Sequence, residues 1–273
     1  MKIKTRYAIT MIMVLLLATA AAARPASAAI SVSSTFKSSL DKTLAAADSA
    51  MKGKISTQYN DFVSLQQQDT QWDANIKAIH YKNAEAETLL RKQIKAVDAA
   101  KIDKLAIQVK QTRERYKKLF DLYASLNRQI SVSRTMGTKD LTSMLRSQSE
   151  AMKPAVQLAR QDIRNKEAAL KAAKESAART IKKLRDILAE TEPLVIRIKA
   201  ERSSTDIPKK SLAAEWKNAS LAVKNRDLAS TLASLTTSVS LSRQIVEQKR
   251  KIHTLEEKIT AVIQKAKSQL PAA

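Results

Sequence analysis

The sequence predicts an all-α protein, and three observations carry that prediction. The first is the scarcity of residues that end helices. In 273 residues there are two glycines, Gly53 and Gly137, and five prolines: Pro25, Pro154, Pro193, Pro208 and Pro271. Turns need these residues, so a chain with so few of them makes few turns. The second is the abundance of Ala, Leu, Lys, Arg, Glu and Gln, whose side chains lose little freedom in a helix. The third is spacing. Ile102, Leu105, Val109, Thr112, Tyr116, Leu119, Tyr123, Leu126 and Ile130 follow steps of three and four, a heptad seam. Phe62, Leu65, Trp72, Ile76, Ile79, Ala86, Leu90 and Val97 keep the same rhythm upstream, with Asp69 and Asn83 as polar interruptions. Aromatic residues make up 4% of the chain, so the core is thin and built from Leu, Ile, Val and Ala.

The elements follow in order. Met1 to Tyr7 carries Lys2, Lys4 and Arg6 and no acid; an apolar run continues to the alanines near Ala23, and Ala26 and Ala28 are small residues two apart. A positive start, a short apolar stretch and an A-x-A site read as a secretory signal peptide over residues 1–28, cut after Ala28. The apolar run is shorter than the roughly 20 residues a membrane span needs. The alanine-rich flank points to a bacterial, extracytoplasmic protein, secreted or held at the envelope.

A short helix is expected over 34–52, ended by Gly53 between Lys52 and Lys54. A long helix over 54–135 follows. Its two seam registers slip between Val97 and Ile102, which fits either a stutter or a turn at Asp98–Ala100. With no Gly or Pro there, the continuous helix is the preferred reading. Met136-Gly137-Thr138 puts a helix-ending Gly beside an N-cap Thr, opening a helix over 138–202. Pro154 and Pro193 should kink or break it. Ser203 to Pro208 is the next break, with cap residues before a Pro in the first turn of a last helix over 208–268. Short connections make successive helices antiparallel neighbours. The expected fold is therefore a single domain over 29–273: an elongated antiparallel bundle of three long helices plus a short N-terminal helix, with coiled-coil-like packing.

Charge is the functional clue. Lysines and arginines number 49 against 26 acids, a net of +23. Removing the four basic residues of positions 1–28, which hold no acid, leaves +19. Residues 29–74 contain four basic and five acidic groups, so the excess belongs to the later helices. Three clusters are the candidate polyanion-binding residues: Arg113, Arg115, Lys117 and Lys118; Arg179, Lys182, Lys183 and Arg185; and Lys249, Arg250 and Lys251. A solubilising surface carries a net of roughly 2–8, whereas an excess this large attracts polyanions over long range. Outside a bacterial cell those are teichoic-type wall polymers, lipid head groups and released DNA. Non-specific nucleic-acid binding in vitro is expected as well. The second function class is a structural protein acting through self-association or a helical partner.

Catalysis is not expected. His80 and His253 have no ligand spacing around them, so no metal site is predicted. Glu85/Glu87, Glu190/Glu192 and Glu256/Glu257 are one or two residues apart on helices and point in different directions, unlike paired catalytic carboxylates. No phosphate-binding or dinucleotide motif occurs, and no cofactor is expected. Trp72, Trp216 and Tyr59 read as core residues. The chain has no cysteine. Leu228 to Ser242, the longest uncharged stretch of the second half, is too short and too rich in Ser and Thr to span a bilayer, which disfavours a pore-forming toxin. No motif fixes a family. In export signal, charge and helicity the chain resembles secreted or wall-associated helical proteins of Gram-positive bacteria.

Overall fold

The computed structural model describes residues 32–271; the expected signal peptide and its Ala28 cleavage position lie outside them. Helices account for 91% of the structure and there is no strand among the described residues. The helices are α1 (Ser34–Leu44), α2 (Ser49–Lys95), α3 (Ala99–Thr135), α4 (Lys139–Ala189), α5 (Thr191–Ser204), α6 (Asp206–Lys224) and α7 (Leu228–Lys267). They form two compact units. Among the described residues, the first comprises 32–79 and Ile196–Glu256, the second His80–Val195 and 257–271.

Several helix ends differ from the sequence expectation, each for a local reason. The first helix stops at Leu44, not residue 52. The Asp48 carboxylate accepts the Met51 backbone N–H at 2.8 Å and starts α2, since a capping carboxylate satisfies an orphan amide of the first turn. Gly53 therefore lies inside α2 rather than between helices. The expected continuous helix over 54–135 is interrupted at residues 96–98, where Asp98 takes a left-handed φ of 55°. The register slip is a turn, not a stutter, and it forms without Gly or Pro.

Gly137 behaves as expected, with φ +73°. The Thr138 N–H bonds back to the Ser133 carbonyl at 3.2 Å and the Gly137 N–H to the Arg134 carbonyl at 3.1 Å, the paired closure of a Schellman turn. Thr138 is not a side-chain cap; its hydroxyl donates to the Ser133 carbonyl instead. Pro154 is accommodated within α4. Helix α4 ends at Ala189, four residues before Pro193, the residue whose carbonyl a proline at that position cannot satisfy.

The break expected at Ser203–Pro208 shrinks to Thr205, which stays right-handed at φ −81°, ψ −15°. Pro208 does fall in the first turn of α6. The tight turn lies twenty residues later. Arg226 adopts φ 59°, its N–H reaches the Val223 carbonyl at 3.1 Å, and the Asp227 N–H reaches Ala222 at 3.0 Å. This is the Gly137 closure with Arg in the left-handed position. Asp227 then caps α7, accepting the Ser230 N–H at 3.0 Å and its hydroxyl at 2.7 Å.

In the first unit, Phe36 and Leu40 of α1, Ile55 and Phe62 of α2, Ala219 and Val223 of α6, and Leu235 and Val239 of α7 are buried. The Trp216 ring lies 4.4 Å from that of Phe36 and 4.6 Å from that of Phe62, centroid to centroid. Tyr59 stacks on Phe36 at 6.2 Å. The Leu228–Ser242 stretch is core here, with Thr231, Ser234, Ser238 and Ser242 buried beside Leu235 and Val239. Helices α2 and α7 run parallel in this unit, because partner numbers rise together: Asp61 with Arg243, Asp69 with Lys249, Trp72 with His253.

In the second unit α3 and α4 run antiparallel. Ser133 meets Thr142, Asn127 meets Ser149, Tyr116 meets Asp162 and Arg113 meets Glu167. All nine seam positions from Ile102 to Ile130 are buried or half-buried. The polar seam residue Asn83 is buried and accepts the Thr260 hydroxyl at 2.7 Å.

Candidate polyanion-binding faces

The three basic clusters are held differently. Within the first, the Arg113 side chain crosses to α4 and donates through Nε to Glu167 at 3.0 Å. Lys117 is paired with Asp121, one turn on, at 2.6 Å. That hydrogen bond and the carboxylate's charge raise the Lys117 pKa above the ordinary lysine value, so the ammonium stays charged but shared. Arg115 leans over the Tyr116 ring, 6.0 Å from its centroid, a cation–π contact. Lys118 is exposed. Half of this cluster is thus engaged with the chain's own carboxylates.

The cluster 249–251 does not survive as a patch, and Lys249 is the correction. Its side chain is 4% exposed, with Nζ 2.5 Å from Asp69 Oδ1 and 2.7 Å from Asp73 Oδ2. It also donates to the Asp69 carbonyl at 3.2 Å. Three consecutive residues on a helix point about 100° apart, so when Ile245 and Ile252 face the core, Lys249 faces it too. The core tolerates the ammonium because Asp69, the polar interruption in the α2 seam, lies opposite. The signal was in the sequence: a lysine in the apolar spacing of α7 and an aspartate in that of α2. Arg250, beside it, is exposed and 3.9 Å from Glu247; Lys251 is exposed.

The α4 cluster is the one whose four members all stay at the surface. Arg179, Lys182, Lys183 and Arg185 are all exposed, while Ala177, Leu184 and Leu188 of the same turns are buried. Lys182 pairs with Asp186 at 2.7 Å. Arg179, Lys183 and Arg185 have no ion pair among the described residues. Arg179 and Lys183, four residues apart, share one flank of the solvent side of α4, and Arg185, two residues past Lys183, lies on the other flank.

The remaining candidate groups are placed as follows. His253 packs edge-on against Trp72 at 5.2 Å, and the His80 ring lies 6.2 Å from that of Tyr81. Glu87 holds Arg91 at 2.6 Å and Glu190 holds Lys265 at 2.8 Å; Glu256 is buried. No group of three or more His, Asp or Glu residues suited to a metal ion occurs among the described residues. Among the described residues, no helix is long and apolar enough to cross a membrane.

Fold and faces together define a class: an all-helical protein with long packed helices and exposed cationic side chains on α4. No family model matches the chain, and neither a curated protein nor a solved structure matches it.

Proposed function

We propose that this chain is an exported, non-catalytic helical protein that associates electrostatically with an anionic cell-envelope polymer of the teichoic type. The observation that carries the proposal is the solvent side of α4, where Arg179, Lys183 and Arg185 are exposed and form no ion pair among the described residues. It adds to a chain-wide excess of 49 basic over 26 acidic residues. A repeating polyphosphate meets such a face through many weak contacts, each releasing counterions, so binding is broad in specificity and falls steeply with salt. The residues of the first cluster that pair internally, Arg113 and Lys117, contribute less because their charges are already met.

The test is sedimentation with purified cell walls across a salt series, before and after the anionic polymer is stripped. The proposal predicts retention on intact walls, release at raised salt, and little retention on stripped walls. Retention indifferent to stripping overturns it. The second reading, self-association or a helical partner, draws on the exposed apolar side chains of Ile107, Leu122 and Leu158 in the second unit. Sedimentation of the purified protein at tens of micromolar separates the two, since a clean monomer argues against self-assembly.

A further inference from the structure

The end of the α3–α4 hairpin carries a second feature, separate in residues and in ligand chemistry from the α4 face. Val132 is 54% exposed, Met136 73%, Leu141 45% and Met144 54%, although each is a large apolar side chain and all four lie within thirteen residues of chain. Their arrangement follows from the seam. Ser133 and Thr142 face one another, hydroxyl to hydroxyl at 2.9 Å. Val132 and Leu141 each precede one of these residues. In two antiparallel helices, the same one-residue offset from the seam turns both side chains to the same side of the hairpin. Met136 follows Val132 by one turn on that stripe. The Schellman closure at Gly137 fixes the turn between them, so the apolar group is presented by backbone hydrogen bonds rather than by a loose loop.

Arg128 stands one turn before Val132 on the same side, while Arg134, Lys139 and Arg146 turn to the other side of the hairpin, all exposed, against one acid, Asp140. None of the four has an ion pair among the described residues. A hairpin tip with an exposed apolar side and a cationic opposite side matches the boundary of an anionic bilayer, where the apolar groups enter between head groups and the long cationic side chains reach phosphates. A soluble polyanion would satisfy the cations and leave Met136 and Leu141 in water.

We infer that the α3–α4 tip is a membrane-surface contact, inserting Val132, Met136 and Leu141 among anionic phospholipid head groups. It lies on the surface and does not span, in keeping with the absence of any sufficiently long apolar helix among the described residues. The chain has no cysteine, so one introduced cysteine can be labelled selectively. Met136→Cys and, as a control on the same helix pair, Leu158→Cys (70% exposed) are each coupled to a polarity-sensitive fluorophore in the full protein. They are then mixed with vesicles of phosphatidylcholine, with or without phosphatidylglycerol. The inference predicts a blue shift and intensity gain at position 136 on anionic vesicles only, and little change at 158. Adding Arg134→Gln and Lys139→Gln should weaken the binding by roughly tenfold or more. Both altered apolar positions are exposed, so folding, checked by circular dichroism, does not decide the outcome. An equal response at both positions means diffuse electrostatic adsorption; it overturns the tip and leaves the polymer reading standing. Silence at position 136, or an equal response on neutral vesicles, overturns it as well.

Discussion

Replacing Lys249 with methionine tests how the first unit is held together. The ammonium is 4% exposed and lies between two carboxylates, Asp69 at 2.5 Å and Asp73 at 2.7 Å. Methionine keeps most of the stem and removes the charge. Removing one partner of a fully buried pair costs about 3–5 kcal/mol, because the other charge is left without compensation. Here the cost is smaller. Asp73 is 63% exposed and returns to water, leaving Asp69, at 16% exposure, as the stranded group. The expected loss is about 2–3 kcal/mol. At about 2–4 °C per kcal/mol for a domain of this size, the melting midpoint falls by roughly 5–10 °C. Thermal unfolding followed by helical circular dichroism measures it, with the exposed Lys251→Met as a control expected within about 0.5 kcal/mol of the parent. Adding Asp69→Leu should recover most of the loss, since an apolar pair replaces an ionic one at little cost. A Lys249→Met protein as stable as the Lys251→Met control would refute the reasoning.

Other outcomes follow from the same geometry. The two glycines should respond with opposite signs to alanine, although neither Cβ would meet an atom within 4 Å. Gly53→Ala, inside α2, should stabilise by about 0.5–1 kcal/mol, and Gly137→Ala, at φ +73°, should destabilise by about 1–2 kcal/mol; denaturant titration distinguishes them. Asp227 has a pKa held below the ordinary carboxylate value, mainly by the Ser230 hydroxyl and then by the Ser230 N–H. A depressed folded-state pKa means its contribution is complete above the usual carboxylate range and lost as pH falls through the lowered value. Asp227→Asn keeps a capping oxygen but should flatten that part of the acid-unfolding curve, as pH-dependent melts will show. Replacing Arg179, Lys183 and Arg185 with Gln should reduce the slope of log affinity against log salt on a purified anionic polymer by about 2–3. Isothermal titration at several salt concentrations reads that slope; an unchanged slope would place the contact elsewhere.

Much of the helical content was legible because it depends on composition and spacing that act locally. Every seam position from Ile102 to Ile130 is buried or half-buried, as a heptad read from sequence requires. Helix ends were less legible, because Gly and Pro are only one way to end a helix. Asp48 and Asp227 cap through their side chains, and Asp98 and Arg226 take left-handed conformations that glycine would adopt more readily. A search for Asx residues followed by Ser or small residues would have found the turn at Asn225–Asp227. The basic clusters were legible as composition but not as surface. Whether a lysine faces water depends on the opposite helix, and Lys249 is buried because Asp69 meets it at the core and Asp73 at its solvent edge. Arg113 is likewise committed to Glu167, 54 residues away along the chain, a pairing that no local pattern announces.

The central claim is extracytoplasmic retention by charge, and fractionation of cells expressing the protein tests it most directly. Cytoplasm, envelope and medium are separated, and the envelope is washed with increasing salt. The account predicts a chain shortened at Ala28, found with the envelope and released as the salt rises. An unprocessed chain in the cytoplasm, or envelope retention that high salt does not loosen, would contradict it.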